Sequence, residues 1–277
     1  MMWEEKRKMT KMEKHIRAFG GKDKPIIGCL HLRALPGTPM WDRGLSMQEH
    51  IDLILADAKI LKEAGFDAFV FANESDYPYV EQVGPEIVAS YTRIVTAVLS
   101  EYKLPFGVGI MFDPLATVAV AKATGASFIR GMFHGTLATD FGFMSKTLGE
   151  TLRYAKKIGA EDLNVYSAIE GHFGVSLDTR TVEQKFAEGR LILPLSGYLL
   201  GAPKAGTAPE ESILAKLKQL DPTVPLILNN GAKVSNVKGL LPYCDGVLVG
   251  TALKKDGYLY NPVDRDRAEA FIQAAKG

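Results

Sequence analysis

Eight times along the chain, a short unbroken apolar run is followed by a stretch with helical periodicity. The runs are 26–31 (IIGCLH), 67–72 (DAFVFA), 106–112 (FGVGIMF), 127–133 (SFIRGMF), 162–169 (DLNVYSAI), 190–195 (RLILPL), 224–229 (VPLILN) and 245–250 (DGVLVG). A strand covered on both faces reads as a continuous apolar run, whereas a half-exposed strand alternates. Eight such strands, each followed by a helix, leave a closed (β/α)₈ TIM barrel or a doubly wound open sheet. No composition shift or linker divides the chain, and the first strand lacks the GxGxxG of a dinucleotide-binding half. The expectation is therefore a single TIM barrel over residues 25–277, preceded by an N-terminal helical extension over 1–24.

The segments between the runs carry explicit start and stop signals. Ser46 and Glu49 have capping-box spacing, Ile51, Ile54, Leu55, Ala58 and Leu61 share one face, and Gly65 offers a left-handed stop. Pro85 and Pro114 fall where a first helical turn tolerates a missing N–H. A second stripe follows Pro85 through Ile87, Tyr91, Ile94, Val95 and Val98. Thr207 with Glu210 predicts another capping box, around Pro209, and Pro262 is expected to open the last helix. Met9, Met12, Ile16 and Phe19 suggest a helix packed on the barrel; Glu4, Glu5 and Glu13 argue against a basic membrane-surface helix.

The charge balance narrows the partners. Lys+Arg is 33 and Asp+Glu is 32, so no net basic field favours nucleic acid or anionic lipid. No apolar stretch reaches 18 residues, which excludes a helical membrane span, and residues 1–19 lack the apolar core of a signal peptide. The two cysteines, Cys29 and Cys244, each lie in an apolar run, fitting a reduced cytoplasmic interior rather than a disulfide framework. A homo-oligomer is compatible with the chain, although no seam is visible in it.

Barrel enzymes carry their polar groups at strand C-termini and in the following loops. Those positions hold His31, the Asn73–Asp76 stretch, Asp113, Arg130 with His134, Glu170 with His172, Ser196–Gly197, Asn229–Gly231 and Gly250–Thr251. Barrels commonly bind phosphate between the last two loops. Asn230, Gly231 and Ala232 on one side, and Gly250 and Thr251 on the other, are candidates to hold it through backbone N–H groups, with Ser196 and Gly197 added from the sixth loop. The plainer reading of these glycines is a pair of tight turns.

Glu74 is the first candidate for proton transfer, because a carboxyl at an apolar rim can have its pKa raised toward neutrality. Asp113 is a second, with a helix N-cap before Pro114 as the rival reading. Arg130 suits either a ligand anion or a structural pair with Glu74 or Asp113. His31 and His134 suit proton shuttling or metal ligation, and His172 lies in a Gly-rich loop with the composition of a lid. Lys204, Lys233, Lys254 and Lys255 fall in loops, where phosphate neutralisation is the simplest role. The first run has no His-x-His pair, and no run carries a Schiff-base lysine, which disfavours amidohydrolase, aldolase and pyridoxal chemistry. No organic cofactor signature is present. A divalent metal is compatible with the rim, and its identity is unknown.

The segments CLHLRALPGTP (29–39), FANESDYPY (71–79), FGVGIMFDP (106–114), FIRGMFHG (128–135), SGYLLGAPKAGT (196–207) and LKKDGYLYNPVD (253–264) resemble the BtpA/SgcQ family, in order along nearly the whole barrel. Asn73–Glu74 is closer to the SgcQ branch, associated with sugar-uptake gene clusters; the BtpA branch is associated with photosystem I biogenesis. The resemblance implies a TIM barrel related to phosphate-binding barrels. Two positions depart from it: Gly109 stands where Asn is expected, and Glu170-Gly171-His172 replaces a Lys-His pattern. The leading expectation is an isomerase, epimerase or lyase acting on a small phosphorylated metabolite, a sugar phosphate. A non-catalytic assembly factor and a ligand sensor are the alternatives.

Overall fold

The computed structural model describes residues 9–145, 147–171, 173–202 and 207–277. Its barrel strands are β1 (Ile26–His31), β2 (Ala68–Ala72), β3 (Phe106–Gly109), β4 (Phe128–Gly131), β7 (Asn164–Ala168), β9 (Gly197–Leu200), β10 (Leu226–Leu228) and β11 (Val247–Val249). Three further strands, β5 (Thr136–Thr139), β6 (Gly142–Ser145) and β8 (Gly174–Ser176), form a small antiparallel sheet. The eight barrel strands close in the order β1-β11-β10-β9-β7-β4-β3-β2, with every pairing parallel. The helices are α1 (Lys11–Ala18), α2 (Met47–Ala64), α3 (Pro85–Glu101), α4 (Pro114–Thr124), α5 (Leu148–Lys157), α6 (Val182–Ile192), α7 (Glu211–Leu220), α8 (Val237–Leu240) and α9 (Arg265–Lys276). The chain is thus the expected TIM barrel. No helix among the described residues is long and apolar enough to cross a membrane.

Period-2 alternation divides the strand residues between two apolar layers. Ile27, Cys29, Val70, Tyr166, Leu199 and Leu248 fill the barrel interior, while Ile26, Leu30, Phe71 and Val108 pack outward with the helices. Helix α1 plugs the N-terminal end. Phe19 seats its ring 4.8 Å from Phe128 and 6.0 Å from Tyr166. His15 is fully buried: Nε2 donates to the Asp23 carbonyl, leaving Nδ1 to accept from the Tyr166 hydroxyl. Of the expected stripe Phe19 is fully buried and Met9, Met12 and Ile16 are half-buried, while His15 and Ala18 complete the buried face.

The capping box at Ser46–Glu49 and the left-handed Gly65 form as the sequence predicts. Other boundaries differ. Residues 190–192 are the last turn of α6, with Leu191 and Ile192 exposed, and the sixth barrel strand is β9 at 197–200. An unread capping box at Thr181 and Gln184 starts α6 early enough to absorb the apolar run. Helix α7 starts after Glu210 without a side-chain cap, so Thr207 does not open it. Helix α8 is preceded by Asn236, without a side-chain cap. Asp264 caps α9 by accepting from the Arg267 N–H, so the helix starts at Arg265, three residues beyond the Pro262 expected to open it.

Lys254 overturns another expectation. It is buried against Asp57 at 2.7 Å, and Asp57 also accepts from the Val263 amide, so this lysine ties the last loop to α2 instead of facing a ligand.

His50 is buried, and its Nε2 accepts from the Arg33 amide at 2.9 Å. Burial, with a smaller push from Arg33, lowers its pKa from 6.5 to about 4. The folded imidazole resists a proton that the unfolded chain accepts below 6.5. Its stabilisation is therefore complete above 6.5 and is lost as pH falls toward 4. A group protonated only in the unfolded state gives a slope of about 1.4 kcal/mol per pH unit. Urea unfolding between these limits should give a slope shallower by that order in His50→Gln; identical slopes for the two proteins would contradict this account.

Candidate functional site

A cavity of about 1120 Å³ opens at the C-terminal ends of the barrel strands. Its floor comes from β1, β2 and β4. Alternation turns both Cys29 and His31 inward, and Glu74 follows β2 in a short 3-10 turn. That turn is strapped from several sides. Asn73 accepts from the Met111 amide and donates to Asp76, Asp76 accepts from the Leu35 amide, and the Tyr79 hydroxyl donates to the Glu74 carbonyl.

Arg130 enters the same floor from β4 and donates from Nη2 to Glu74 Oε1 at 2.5 Å. The two side chains are only 9% and 14% exposed, so the pair is largely desolvated. Gly109 makes this possible: a Cβ there would lie 2.7 Å from the Arg130 carbonyl oxygen and 3.3 Å from Nε. Glycine at this position thus has a packing reason.

Electrostatics assign the protonation states. Burial pushes the Glu74 carboxyl up, but the Arg130 guanidinium, His31 and the hydrogen bond from Arg130 outweigh it and hold it below its ordinary value. Glu74 is therefore a carboxylate and a proton acceptor, without the raised pKa the sequence suggested. Burial lowers His31 to about 4, leaving a neutral imidazole, and burial with the nearby Glu74 charge pushes the Cys29 thiol up to about 12. Among the described residues, His31 Nδ1, Glu74 Oε2, Arg130 Nε, Asn229 Oδ1 and Asn230 Nδ2 are buried atoms without a hydrogen-bond partner. Buried polar atoms are nearly always paired, so five around one cavity point to a polar ligand. Among the described residues, Cys29, His31 and Glu74 also form a group able to hold a metal, each offering a ligand atom within 4.8 Å of the others.

The opposite wall is built by the loops after β10 and β11. Asn230, Gly231, Ala232 and Lys233 line it from one side, and Gly250, Thr251 and Ala252 from the other. Gly231 sits at φ +76°, and a Cβ there would lie 2.0 Å from the Ala208 nitrogen, so only glycine fits. Asn236 holds the loop by accepting from the Lys233 amide and donating to the Gly231 carbonyl. The 3-10 turn at Thr251–Leu253 opens with N–H groups that its own hydrogen bonds cannot use. Lys233 and Arg267 place two exposed cations at the mouth, and Tyr77, Tyr79, Phe141, Phe173 and Tyr260 form an aromatic collar. Tyr79 stacks edge-on against Phe141 and Phe173, anchoring the small β5-β6-β8 sheet beside the opening.

The structure therefore brings His31, Glu74, Arg130, Asn230, Gly231, Ala232, Lys233, Gly250 and Thr251 to one cavity and leaves Asp113, His134, Glu170, Ser196 and Gly197 outside it. Asp113 is the N-cap of α4, accepting from the Ala116 amide with one oxygen and from the Val83 amide with the other. His134 does not line the cavity; its Nδ1 is 2.8 Å from the Ser167 hydroxyl, which also accepts from the Phe133 amide. Glu170 turns away to pair with Lys185 at 2.9 Å. Ser196 and Gly197 belong to the opposite end of the barrel, because the strand begins there instead of ending. His172 and Lys204 lie outside the described residues. Cys29 was passed over as an apolar residue, although the Cys-x-His spacing on a strand signals two side chains on one face. Arg267 gave no signal, since it reaches the mouth from a helix remote in sequence.

Fold and site together define a TIM barrel whose C-terminal rim holds a largely apolar cavity with a polar floor. The chain belongs to the BtpA family, whose model matches residues 22–277. It is 36% identical to the sgc region protein SgcQ of Escherichia coli K12 over 91% of this chain and 94% of that protein. It is 28% identical to the photosystem I biogenesis protein BtpA of Synechocystis, over 90% and 87%. Among solved structures it is similar to thiamine phosphate pyrophosphorylase of Pyrococcus furiosus, with a TM-score of 0.56, 13% identity and coverage of 92% and 96%. It is also similar to phosphoribosyl anthranilate isomerase of Thermus thermophilus, with a TM-score of 0.56, 12% identity and coverage of 90% and 97%.

Proposed function

We propose that this protein is an enzyme that carries out acid–base chemistry on a small phosphorylated metabolite, most simply a sugar phosphate. The observation that carries the reading is the set of unpartnered buried polar atoms on the cavity floor, facing a wall of glycine loops and two mouth cations. The phosphate would rest against Gly231–Ala232 and Gly250–Thr251, neutralised by Lys233 and Arg267. The carbonyl end of the ligand would then reach Glu74 and Arg130. Glu74, ionised and largely dry, accepts a proton from carbon, and Arg130 stabilises the oxyanion that forms. Isomerisation, epimerisation and carbon–carbon cleavage share this step. Two barrels of the same fold are named for phosphorylated compounds, which agrees with the reading.

A ligand at about 100 times its dissociation constant adds about 2.7 kcal/mol of stability. Thermal unfolding against inorganic phosphate and a panel of aldose and ketose phosphates should show such a shift for the wild type. Lys233→Glu/Arg267→Glu, altering two exposed residues, should unfold at the wild-type temperature without ligand and lose the response. A panel that shifts neither protein would remove the phosphate reading.

A further inference from the structure

The floor of the cavity sets Cys29 and His31, which the acid–base reading leaves unused, beside Glu74. We propose that Cys29, His31 and Glu74 bind one divalent transition-metal ion of zinc type, through the thiolate, the imidazole and one carboxylate oxygen. The inference concerns the floor alone and stands whether or not a phosphate sits at the rim.

Four observations support it. The ligand atoms come from two inward positions of one strand and the turn after its neighbour, and lie within 4.8 Å of one another. A shared ion at ~2.0–2.3 Å from each asks for separations of about 3.3–3.8 Å, so the ligand atoms would draw together on binding. Second, His31 Nδ1 and Glu74 Oε2 are buried without a partner among the described residues. Arg130 holds the other oxygen, Oε1, and so orients the carboxylate as an outer-shell partner does. Third, Gly250 leaves the space that His31 occupies, since a Cβ there would stand 2.5 Å from its Cε1. Fourth, the charges balance. Thiolate and carboxylate face Arg130 and the ion for a net charge near +1, while Lys254 is neutralised by Asp57.

The donor chemistry selects the metal. Thiolate and imidazole suit zinc, cobalt or iron(II), whereas magnesium and calcium take all-oxygen sets. Three protein ligands leave a fourth position open to the cavity, the arrangement of catalytic rather than structural zinc sites. An ion here lowers the pKa of a bound water and polarises a substrate oxygen. With the ion bound, Glu74 would serve as a ligand held by Arg130 through its other oxygen, and the ion would supply the Lewis-acid chemistry.

Cobalt(II) reads the site directly. Chelator-treated protein titrated with cobalt should bind one equivalent, with a near-ultraviolet sulfur-to-cobalt charge-transfer band and the visible bands of a tetrahedral ion, both removed by zinc. Cys29→Ser should lose the charge-transfer band, and His31→Ala should weaken binding at least about 100-fold. Cys244→Ser, which alters the other buried cysteine, should leave the spectrum unchanged. Absence of the band in the wild type overturns the proposal without recourse to any variant, as does a band that survives Cys29→Ser or vanishes in Cys244→Ser. Phosphate-induced stabilisation of the same chelator-treated protein is scored separately, so failure at the floor and failure at the rim are distinguishable.

Discussion

Arg130→Met should lower the unfolding free energy by about 3–5 kcal/mol, the usual cost of leaving one member of a buried ion pair without its partner. Glu74 is 14% exposed and its second oxygen already lacks a partner among the described residues, so removing Arg130 strands a carboxylate in an apolar barrel. Its pKa would then rise, because the guanidinium is the chief influence opposing burial. The loss should appear in urea unfolding as a lower midpoint with an unchanged slope. Arg130→Met/Glu74→Leu should recover much of it, since an apolar pair of similar volume removes both charges together. A single-variant loss below about 1 kcal/mol would mean that solvent reaches Glu74 freely, and the desolvated floor would have to be abandoned.

Glu74→Gln should lower turnover on the correct phosphorylated substrate by about 10²–10⁴, the range lost when a positioned general base is removed. The amide oxygen still accepts from Arg130, so the fold and the rim loops should be little disturbed. The effect should therefore fall on kcat rather than KM, and the variant should retain the thermal response to phosphate compounds. Turnover within tenfold of wild type would show that the proton is taken elsewhere. The expected direction is the same when Glu74 serves as a metal ligand; the cobalt spectrum separates the two roles.

Seven of the eight barrel strands were legible because strands covered on both faces advertise themselves as unbroken apolar runs. The eighth was misplaced because Leu191, Ile192 and Leu193 mimic such a run while ending an amphipathic helix. Local caps were readable where the whole signal is contiguous, as at Ser46–Glu49. They failed at Thr207 and Pro262: α7 starts after Glu210 without a side-chain cap, and α9 starts after Asp264, which caps it.

The rim was legible as a set, but individual roles were not. Asp113 and Glu74 look alike in sequence, yet one is consumed by two backbone amides and the other faces a guanidinium. Lys254 reads as a loop lysine until Asp57, 197 residues away in sequence, is found against it. The lowered pKa of Glu74 depends on a partner 56 residues away, which no local pattern specifies.

The central claim is that a phosphate group docks between the loops after β10 and β11. A crystal structure of the protein with bound sugar phosphate or inorganic phosphate tests it most directly. The predicted result is phosphate density between Gly231–Ala232 and Gly250–Ala252, with Lys233 or Arg267 turned toward it and the rest of the ligand pointing to Glu74. Phosphate bound at another face, or a cavity without it at concentrations that stabilise the protein, would contradict the account.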